Sequence, residues 1–238
     1  MIHKTTKLLS LCIAGLIALS SLSGCNTVEE SAATTTAAEQ KEPPTPARFY
    51  ETIHSDRDVS IVTRVRYSNG ADESDWTYQT VRNGQKVYYS LKRADKDKYD
   101  IERYFDFANA LQYYQPGNNQ QWKTDSSYGS WEEFADPDQL YLYVSFYKSL
   151  TAIFETDRYA ITDGQYRITE AGAAQILTEH PISDQYGDNP RFISTFEWDN
   201  GNMVHVERIE SEDGIVWTEC RVTITKKEMT VKLPQIEQ

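Results

Sequence analysis

Side chains that could perform acid–base or nucleophilic chemistry are few in this sequence and lie far apart. Beyond the first 25 residues the histidines are His54, His180 and His205. No His-Glu-x-x-His, paired-cysteine or Gly-x-Ser-x-Gly motif accompanies them, and such motifs bring metal ligands or an activated nucleophile together. We therefore interpret each histidine as a surface or strand-packing residue. We expect a non-catalytic protein with no metal ion and no cofactor.

Acidic residues dominate the charge of the chain, which has a formal net charge of −12. Glu132-Glu133, and Glu210 with Glu212, could bind a cation or act as an acid–base pair, but in so acidic a chain we interpret them as solvated charge. The charge argues against nucleic acid as a partner and against broad contact with anionic lipid surfaces. A hydrolase is the alternative, and it would need titratable groups that converge in a cleft.

A different chemistry is indicated by the segment that ends at the cysteine in position 25. Lys4 and Lys7 precede Leu8–Leu22, an apolar run of 15 residues that is shorter than the roughly 20 residues of a membrane span. This layout is typical of a secretory signal peptide. The residues Leu22-Ser23-Gly24-Cys25 resemble a bacterial lipobox, in which a branched apolar residue and two small residues precede a cysteine. The resemblance implies cleavage before Cys25, which becomes the lipidated N-terminus.

A diacylglyceryl group on Cys25 would anchor the processed chain to a membrane. Two acyl chains hold a protein on a bilayer far longer than one, at roughly 0.8 kcal/mol per buried methylene. No later stretch of the sequence combines membrane length with freedom from charge. We therefore expect an extracytoplasmic protein, anchored by its lipid to the outer leaflet of the bacterial cell membrane.

Composition divides the chain into three parts. A signal peptide is predicted over residues 1–24, followed by a lipidated tether over 25–47. The tether is rich in Ala, Thr, Glu and Pro and lacks aromatic residues, so it cannot bury enough apolar area to offset the entropy of ordering. Residues 48–238 suffice for one sizeable core and are predicted to form a single β-rich domain.

Cys220 is the only cysteine of the predicted domain, so no intramolecular disulfide is expected there. Its segment alternates in a way that places it on one strand face with Val216, Val222 and Ile224. We interpret Cys220 as a buried, inert thiol, with a reactive thiol as the alternative.

Alternating polar and apolar residues predict two groups of antiparallel strands. In the first group Asn83-Gly84 is the pair preferred by a two-residue type I′ hairpin turn. About six strands are predicted there, at Val59–Tyr67, Trp76–Thr80, Val87–Leu91, Tyr99–Phe107, Leu111–Tyr113 and around Trp122. A small hairpin over Tyr159–Ile168, turning at Asp163-Gly164, precedes the second group. The second group is predicted at Phe192–Trp198, Val204–Ile209, Ile215–Thr225 and Met229–Leu233.

Three segments are predicted to be helices. Asp136-Pro137-Asp138 supplies an N-cap, a first-turn proline and an acidic first turn for a helix over Pro137–Phe154. That helix is apolar almost all round, so other elements should enclose it. Further helices are predicted over Glu170–Glu179, with Thr169 as N-cap, and over Arg48–Ser55.

The order of these elements resembles the LolA-like family, which includes the lipoproteins LppX and LprG. The resemblance covers Phe49 to Pro234 and includes Trp122-Lys123 and the run Asp163-Gly164-Gln165-Tyr166-Arg167-Ile168-Thr169. It implies an α+β, mainly antiparallel fold, in which a strongly curved, incomplete β-barrel wraps helices around a hydrophobic cavity. It also implies that the protein carries or senses lipids or lipoproteins. No ligand-contacting residue of the family transfers position by position.

Aromatic residues are the candidates for lining such a cavity, since they make up 12% of the chain. They either fill the core of a twisted sheet or line a pocket for an acyl chain or another apolar ligand. The residues we select for the pocket, by strand face and helix face, are Tyr89, Phe105, Tyr113, Trp122, Tyr143, Phe146 and Tyr147.

The sequence thus predicts a membrane-anchored lipoprotein that binds or senses a lipid-like ligand. The alternative is a surface interaction module or envelope sensor that binds another envelope protein and has a solid core. A cavity open to solvent favours the first function. A filled interior with an exposed aromatic patch favours the second.

Overall fold

A computed structural model of the chain describes residues 42–116, 120–126, 150–180, 182, 184–226 and 229–236. All of them belong to the compact unit Gln40–Gln238, so a chain that begins at residue 26 keeps every contact reported below. Several predictions lie outside the described residues: Cys25, Glu132-Glu133, most of the helix over Pro137–Phe154, and the candidate residues Tyr143, Phe146 and Tyr147.

The described residues place eleven antiparallel strands in one sheet. They are β1 (Asp58–Ser68), β2 (Glu73–Asn83), β3 (Lys86–Arg93), β4 (Ile101–Asp106), β5 (Leu111–Tyr114), β6 (Lys123–Asp125), β7 (Tyr159–Thr162), β8 (Gln165–Ile168), β9 (Arg191–Asp199), β10 (Asn202–Glu210) and β11 (Trp217–Thr225). Their order is β6-β5-β4-β3-β2-β1-β11-β10-β9-β8-β7, so two meanders join where β1 pairs with β11. The sheet is not closed, because β6 and β7 lie at its two ends. The six-strand first meander and the hairpin turning at Asp163-Gly164 are confirmed.

The turn between β2 and β3 differs from its prediction by one residue. Asn83 remains in the ladder, paired with both Asp58 and Lys86, and its side-chain amide donates to Asp58 Oδ1 over 3.2 Å. The two-residue loop is therefore Gly84-Gln85. Only Gly84 has a positive φ, of 58°, which is the pattern of a type II′ turn rather than type I′.

The prediction of a terminal strand over Met229–Leu233 is wrong, because residues 229–236 lie outside the sheet. The preceding strand, β11, already has β1 on one side and β10 on the other, so it offers no free edge to a continuing chain. Within this segment, Val231 is buried without strand pairing, since it is 6% exposed.

Within the described residues, two α-helices and three short 3-10 turns accompany the sheet. They are α1 (Pro46–Ser55), α2 (Glu170–Glu179) and the 3-10 turns Leu150–Phe154, Thr156–Arg158 and Asp184–Tyr186. The limits predicted for α2 are confirmed, with the Thr169 hydroxyl accepting from the Gly172 amide over 3.0 Å. The last residues of the helix predicted over Pro137–Phe154 form a 3-10 turn, and the rest of that helix is outside the described residues.

The start of α1 lies inside the segment whose composition is typical of a tether. Thr45 caps the helix by accepting from the Arg48 amide, and Pro46 occupies the first turn, where a proline loses no hydrogen bond. Pro43 and Pro44 are buried, and the Trp198 indole donates to the Glu42 carbonyl over 2.8 Å. The folded unit thus includes residues 42–47, which the sequence assigned to the tether.

Gly172 in α2 provides a sharp test of this packing. A Cβ at this position would lie 2.5 Å from the Arg158 carbonyl oxygen, although alanine is the better helix former by about 1 kcal/mol. We predict that Gly172→Ala lowers the free energy of unfolding by about 1–3 kcal/mol, because backbone that cannot easily yield must move. Urea unfolding measures this. The reverse change Ala174→Gly, at an exposed position of the same helix, is the control and should cost about 1 kcal/mol. Stabilisation by Gly172→Ala would show that the contact is not tight.

Candidate functional site

One face of the sheet, which we call the inner face, carries the helices and the core. The ring of Phe49, in α1, lies 5.3 Å from the ring of Phe196, in β9, and 5.6 Å from that of His205, in β10. The register continues this face across the sheet, because residues directly opposite each other in a ladder point to the same side. His205 is opposite Val222, which is opposite Thr63, which is opposite Tyr78. The inner face therefore extends from β9 to the first meander.

The second-meander half of the inner face is closed. Phe196 and His205 stack with centroids 4.2 Å apart, and neither ring is more than 1% exposed. Ile153 and Phe154 of the first 3-10 turn are similarly buried, as is Ile176 of α2. Cys220 is 1% exposed and burial raises the pKa of its thiol, which confirms the prediction of a buried cysteine.

Burial of the inner face decreases along the strands of the first meander. The row Val59, Arg82, Val87, Phe105 and Gln112, which lies next to the end of α1, is buried throughout. In the next three rows, the residues of β1 and Thr80 of β2 are buried, and the residues of β2–β5 beyond them are half-buried. These half-buried residues are mainly apolar or aromatic and comprise Trp76, Tyr78, Tyr89, Leu91, Ile101 and Tyr114. We call them the open inner face.

The structure separates the described candidate residues instead of bringing them together. Tyr89 and Phe105 lie on the inner face, where Phe105 is buried and Tyr89 half-buried. Tyr113 lies opposite Tyr104 and so belongs to the other side, which we call the outer face. Trp122 is there too, with its ring 5.2 Å from that of Tyr104.

Arg82, which no sequence pattern marks as a site residue, joins the sheet to α1. It is fully buried, and its Nη1 donates to the Ile53 carbonyl over 2.5 Å and to the Asp56 carbonyl over 3.3 Å. Burial lowers the pKa of this guanidinium to about 10, so it stays charged at neutral pH. The charge therefore faces carbonyls at the C-terminal end of the helix, where the helix dipole favours a cation.

A chain of hydroxyl and imidazole groups crosses the closed half of the inner face. The Tyr159 hydroxyl donates to the Ile153 carbonyl over 2.8 Å and lies 2.9 Å from Ser194 Oγ, which lies 2.9 Å from His205 Nε2. Because Tyr159 has a single proton, Ser194 donates to it and His205 donates to Ser194. Burial lowers the pKa of His205 to about 3, which agrees with a neutral ring. Ser194 is 0% exposed, so this chain ties strands and turn together rather than meeting a substrate.

Glu207 is a buried carboxylic acid in the closed half of the inner face. It is 1% exposed, lies between Ser194 and Cys220 in the ladder, and neither of its carboxyl oxygens has a hydrogen-bond partner among the described residues. Desolvation raises the pKa of Glu207 to about 8, so the group is protonated at neutral pH. The sequence pattern of β10 gives little sign of this, because its most regular apolar alternation, Val204 and Val206, is on the opposite face.

The outer face is charged where the two meanders meet. Arg66 and Arg208 both pair with Glu219, and their guanidinium groups lie 5.6 Å and 4.6 Å from the ring centroid of Trp217. Arg208 also pairs with Glu210, over 2.8 Å. These groups pair with one another, so they form an ion-pair network rather than a site waiting for a ligand. Glu210 is only 9% exposed, so the interpretation of this residue as solvated charge is wrong, whereas Glu212 is exposed.

The described part of the chain contains no group of three or more His, Cys, Asp or Glu side chains placed to hold a metal ion. Within the same residues, no helix has both the length and the apolar character required to cross a bilayer. No protein-family model matches this sequence, and a comparison with curated proteins finds no match.

Glu207 predicts an unusual dependence of stability on pH. Its pKa is raised in the folded state, so unfolding releases a proton between about pH 4.5 and about pH 8, and rising pH therefore destabilises the fold across that window. We predict that Glu207→Gln removes a slope of up to about 1.4 kcal/mol per pH unit. Urea unfolding at pH 5, 6, 7 and 8 measures it. Glu212→Gln, in an exposed turn, is the control and should leave the slope unchanged. Parallel curves for the wild type and Glu207→Gln would contradict the prediction.

Proposed function

We propose that this protein is an extracytoplasmic lipoprotein that holds or senses a lipid-like ligand against the open inner face, without catalysing a reaction. The observation that carries the proposal is the set of half-buried apolar side chains on β2–β5, next to a closed core. An apolar surface of this kind is costly in water, at about 25 cal/mol for each Å² exposed, and such surfaces are typical of ligand or partner sites.

The strand order supports a LolA-like domain as the form of this site. In the described residues, one helix, six strands, two 3-10 turns, the β7–β8 hairpin, the helix α2, a third 3-10 turn and three further strands follow one another, and the sheet is open at β6 and β7. Adjacent strands rotate by about 20–25°, so a sheet of this size tends to curl around whatever covers one face. A strongly curved, incomplete β-barrel around helices is the arrangement we propose.

The N-terminal segment supports the proposed location. Lys4 and Lys7, the apolar run Leu8–Leu22 and the small residues before Cys25 agree with a lipoprotein signal. Diacylation of Cys25 would place the folded unit on the outer leaflet of the cell membrane, within reach of lipids. The membrane is then a partner through the anchor and a source of ligand.

The outer face favours a second candidate function. Tyr88, Tyr104 and Trp122 form an aromatic cluster there, with ring centroids 4.9 Å and 5.2 Å apart. Aromatic residues with hydroxyl groups at a surface are enriched in protein interfaces. A surface interaction module or envelope sensor would use this cluster to bind another envelope protein, and would need no open inner face.

A substitution at Leu91 tests whether a ligand binds the open inner face, and a substitution at the next residue tests the outer face of the same strand. In a chain that begins at residue 26, we predict that Leu91→Gln weakens binding of the neutral dye N-phenyl-1-naphthylamine about fivefold, because a polar side chain then interrupts the open inner face. Dye fluorescence measures binding. The adjacent change Lys92→Gln, on the outer face of the same strand, should leave affinity unchanged. Dye that does not bind the wild type, together with a native mass free of lipid, would favour the interaction module.

The anchor is tested separately in intact cells. We predict that Cys25→Ser abolishes incorporation of an alkyne-labelled palmitate into the protein, because the acceptor thiol is lost. In-gel fluorescence after click coupling measures the label. Cys220→Ser is the matched control and should keep it, since Cys220 is buried in the folded unit. Label that persists in Cys25→Ser would rule out lipidation at this position.

A further inference from the structure

We propose that the ligand of the open inner face is a single-chain amphiphile whose head group is a carboxylate, and that Arg103 binds this carboxylate. The inference rests on the proposed function and adds the class of ligand to it. It is carried by one row of side chains across the first meander, in which cations alternate with tyrosines.

The register defines this row. Tyr89 in β3 lies opposite Arg103 in β4, Arg103 opposite Tyr114 in β5, and Tyr114 opposite Lys123 in β6. All four side chains are therefore on the inner face. Arg103 is half-buried between the two tyrosines, while Lys123 is exposed at the end of the sheet. The row thus brings two positive charges to the inner face of a strongly acidic protein.

Arg103 has no ion-pair or hydrogen-bond partner among the described residues. Most other arginines of the sheet have a partner, including Arg93, which lies on the same face and binds Asp100 over 2.9 Å. Arg167 of β8 has none among the described residues, but it is exposed. Glu102 precedes Arg103 but points to the outer face, where it accepts from the Tyr88 hydroxyl over 3.1 Å. Asp100 is held by Arg93 and Lys96. The acidic groups nearest in the chain are therefore already used, and the guanidinium of Arg103 is available to a ligand.

Arg103 lines a cavity of about 390 Å³ between the β3–β4 connection and the end of β5. Ile101 and Tyr114 are also in its wall, together with the charged residues Asp97, Lys98, Asp100 and Glu102. The neighbouring inner-face row, on the side away from the buried row that contains Phe105, consists of Tyr78, Leu91 and Ile101. Neighbouring rows on one face lie about 7 Å apart, so an acyl chain lying against Leu91 and Ile101 reaches Arg103 with its head group.

A carboxylate is the head group that this side chain fits best. The guanidinium presents a planar fork of donors that matches the two oxygens of a carboxylate, and a partly buried site strengthens such charge-assisted bonds. The hydroxyl of Tyr114, beside it, adds a donor of its own, and Lys123 adds a second positive charge at the end of the same row.

Displacement of the dye N-phenyl-1-naphthylamine by dodecanoate and by 1-dodecanol tests the inference. These two probes share a chain length and differ in the head group. At pH 7.5, in a chain that begins at residue 26, we expect dodecanoate to displace the dye at a concentration at least tenfold below that of 1-dodecanol. We expect Arg103→Gln to reduce this preference to less than threefold, with displacement by 1-dodecanol unchanged.

Arg167→Gln is the matched control, because Arg167 is an exposed arginine on the outer face of β8 and the charge change is the same. It should keep the full preference. Equal displacement by both probes in the wild type would overturn the carboxylate site and leave the proposed function in place. Loss of preference in both variants would show that the effect is one of net charge, which also overturns the site. Failure of the dye and of both probes to bind would overturn the proposed function with it.

Discussion

The pairing of β1 with β11 is the constraint on which the rest of the fold depends. It joins residues separated by most of the chain, from Ser60 opposite Thr225 to Ser68 opposite Trp217. Neither meander alone covers its own apolar side, and this ladder makes their two inner faces continuous. A shift of one residue in its register would turn every side chain of one meander to the wrong face. The open inner face and the buried core are therefore consequences of one register.

The hydrogen bonds of buried polar groups can form in only one alignment of the strands. The chain from Tyr159 through Ser194 to His205 is complete only when β7, β9 and β10 are aligned as they are, since each member has one partner on the next element. Arg82 similarly meets the α1 carbonyls only from its position on β2. Glu207 has no hydrogen-bond partner among the described residues, so its burial requires the carboxyl group to remain protonated. These groups select an arrangement more than they add stability.

Local pattern predicted most of the elements, but it did not predict the sheet face of every aromatic side chain. The α2 limits followed from Thr169 and from the residues after it, because helix caps are local chemistry. Whether an aromatic side chain lies inside depends on the number of residues in every preceding loop, since alternation has a period of two. Phe105 and Tyr113 are eight residues apart and have the same parity, yet the tight connection between β4 and β5 puts them on opposite faces. The terminal strand failed for a different reason, because availability of an edge is a property of the whole sheet.

Charge is distributed differently on the two faces, and this contrast connects the fold to the ligand. On the outer face, Arg66, Arg208 and Glu219 satisfy one another beside Trp217, so water and counterions meet a surface that is already neutralised locally. On the inner face, Arg103 lies among apolar and tyrosine side chains without such a match in the described part of the chain. A half-buried cation without an anionic partner loses part of its hydration, which costs free energy. A purely apolar ligand would not offset that cost. A ligand with an acyl chain and a carboxylate satisfies both the apolar rows and the cation, so it explains two features of the same face at once.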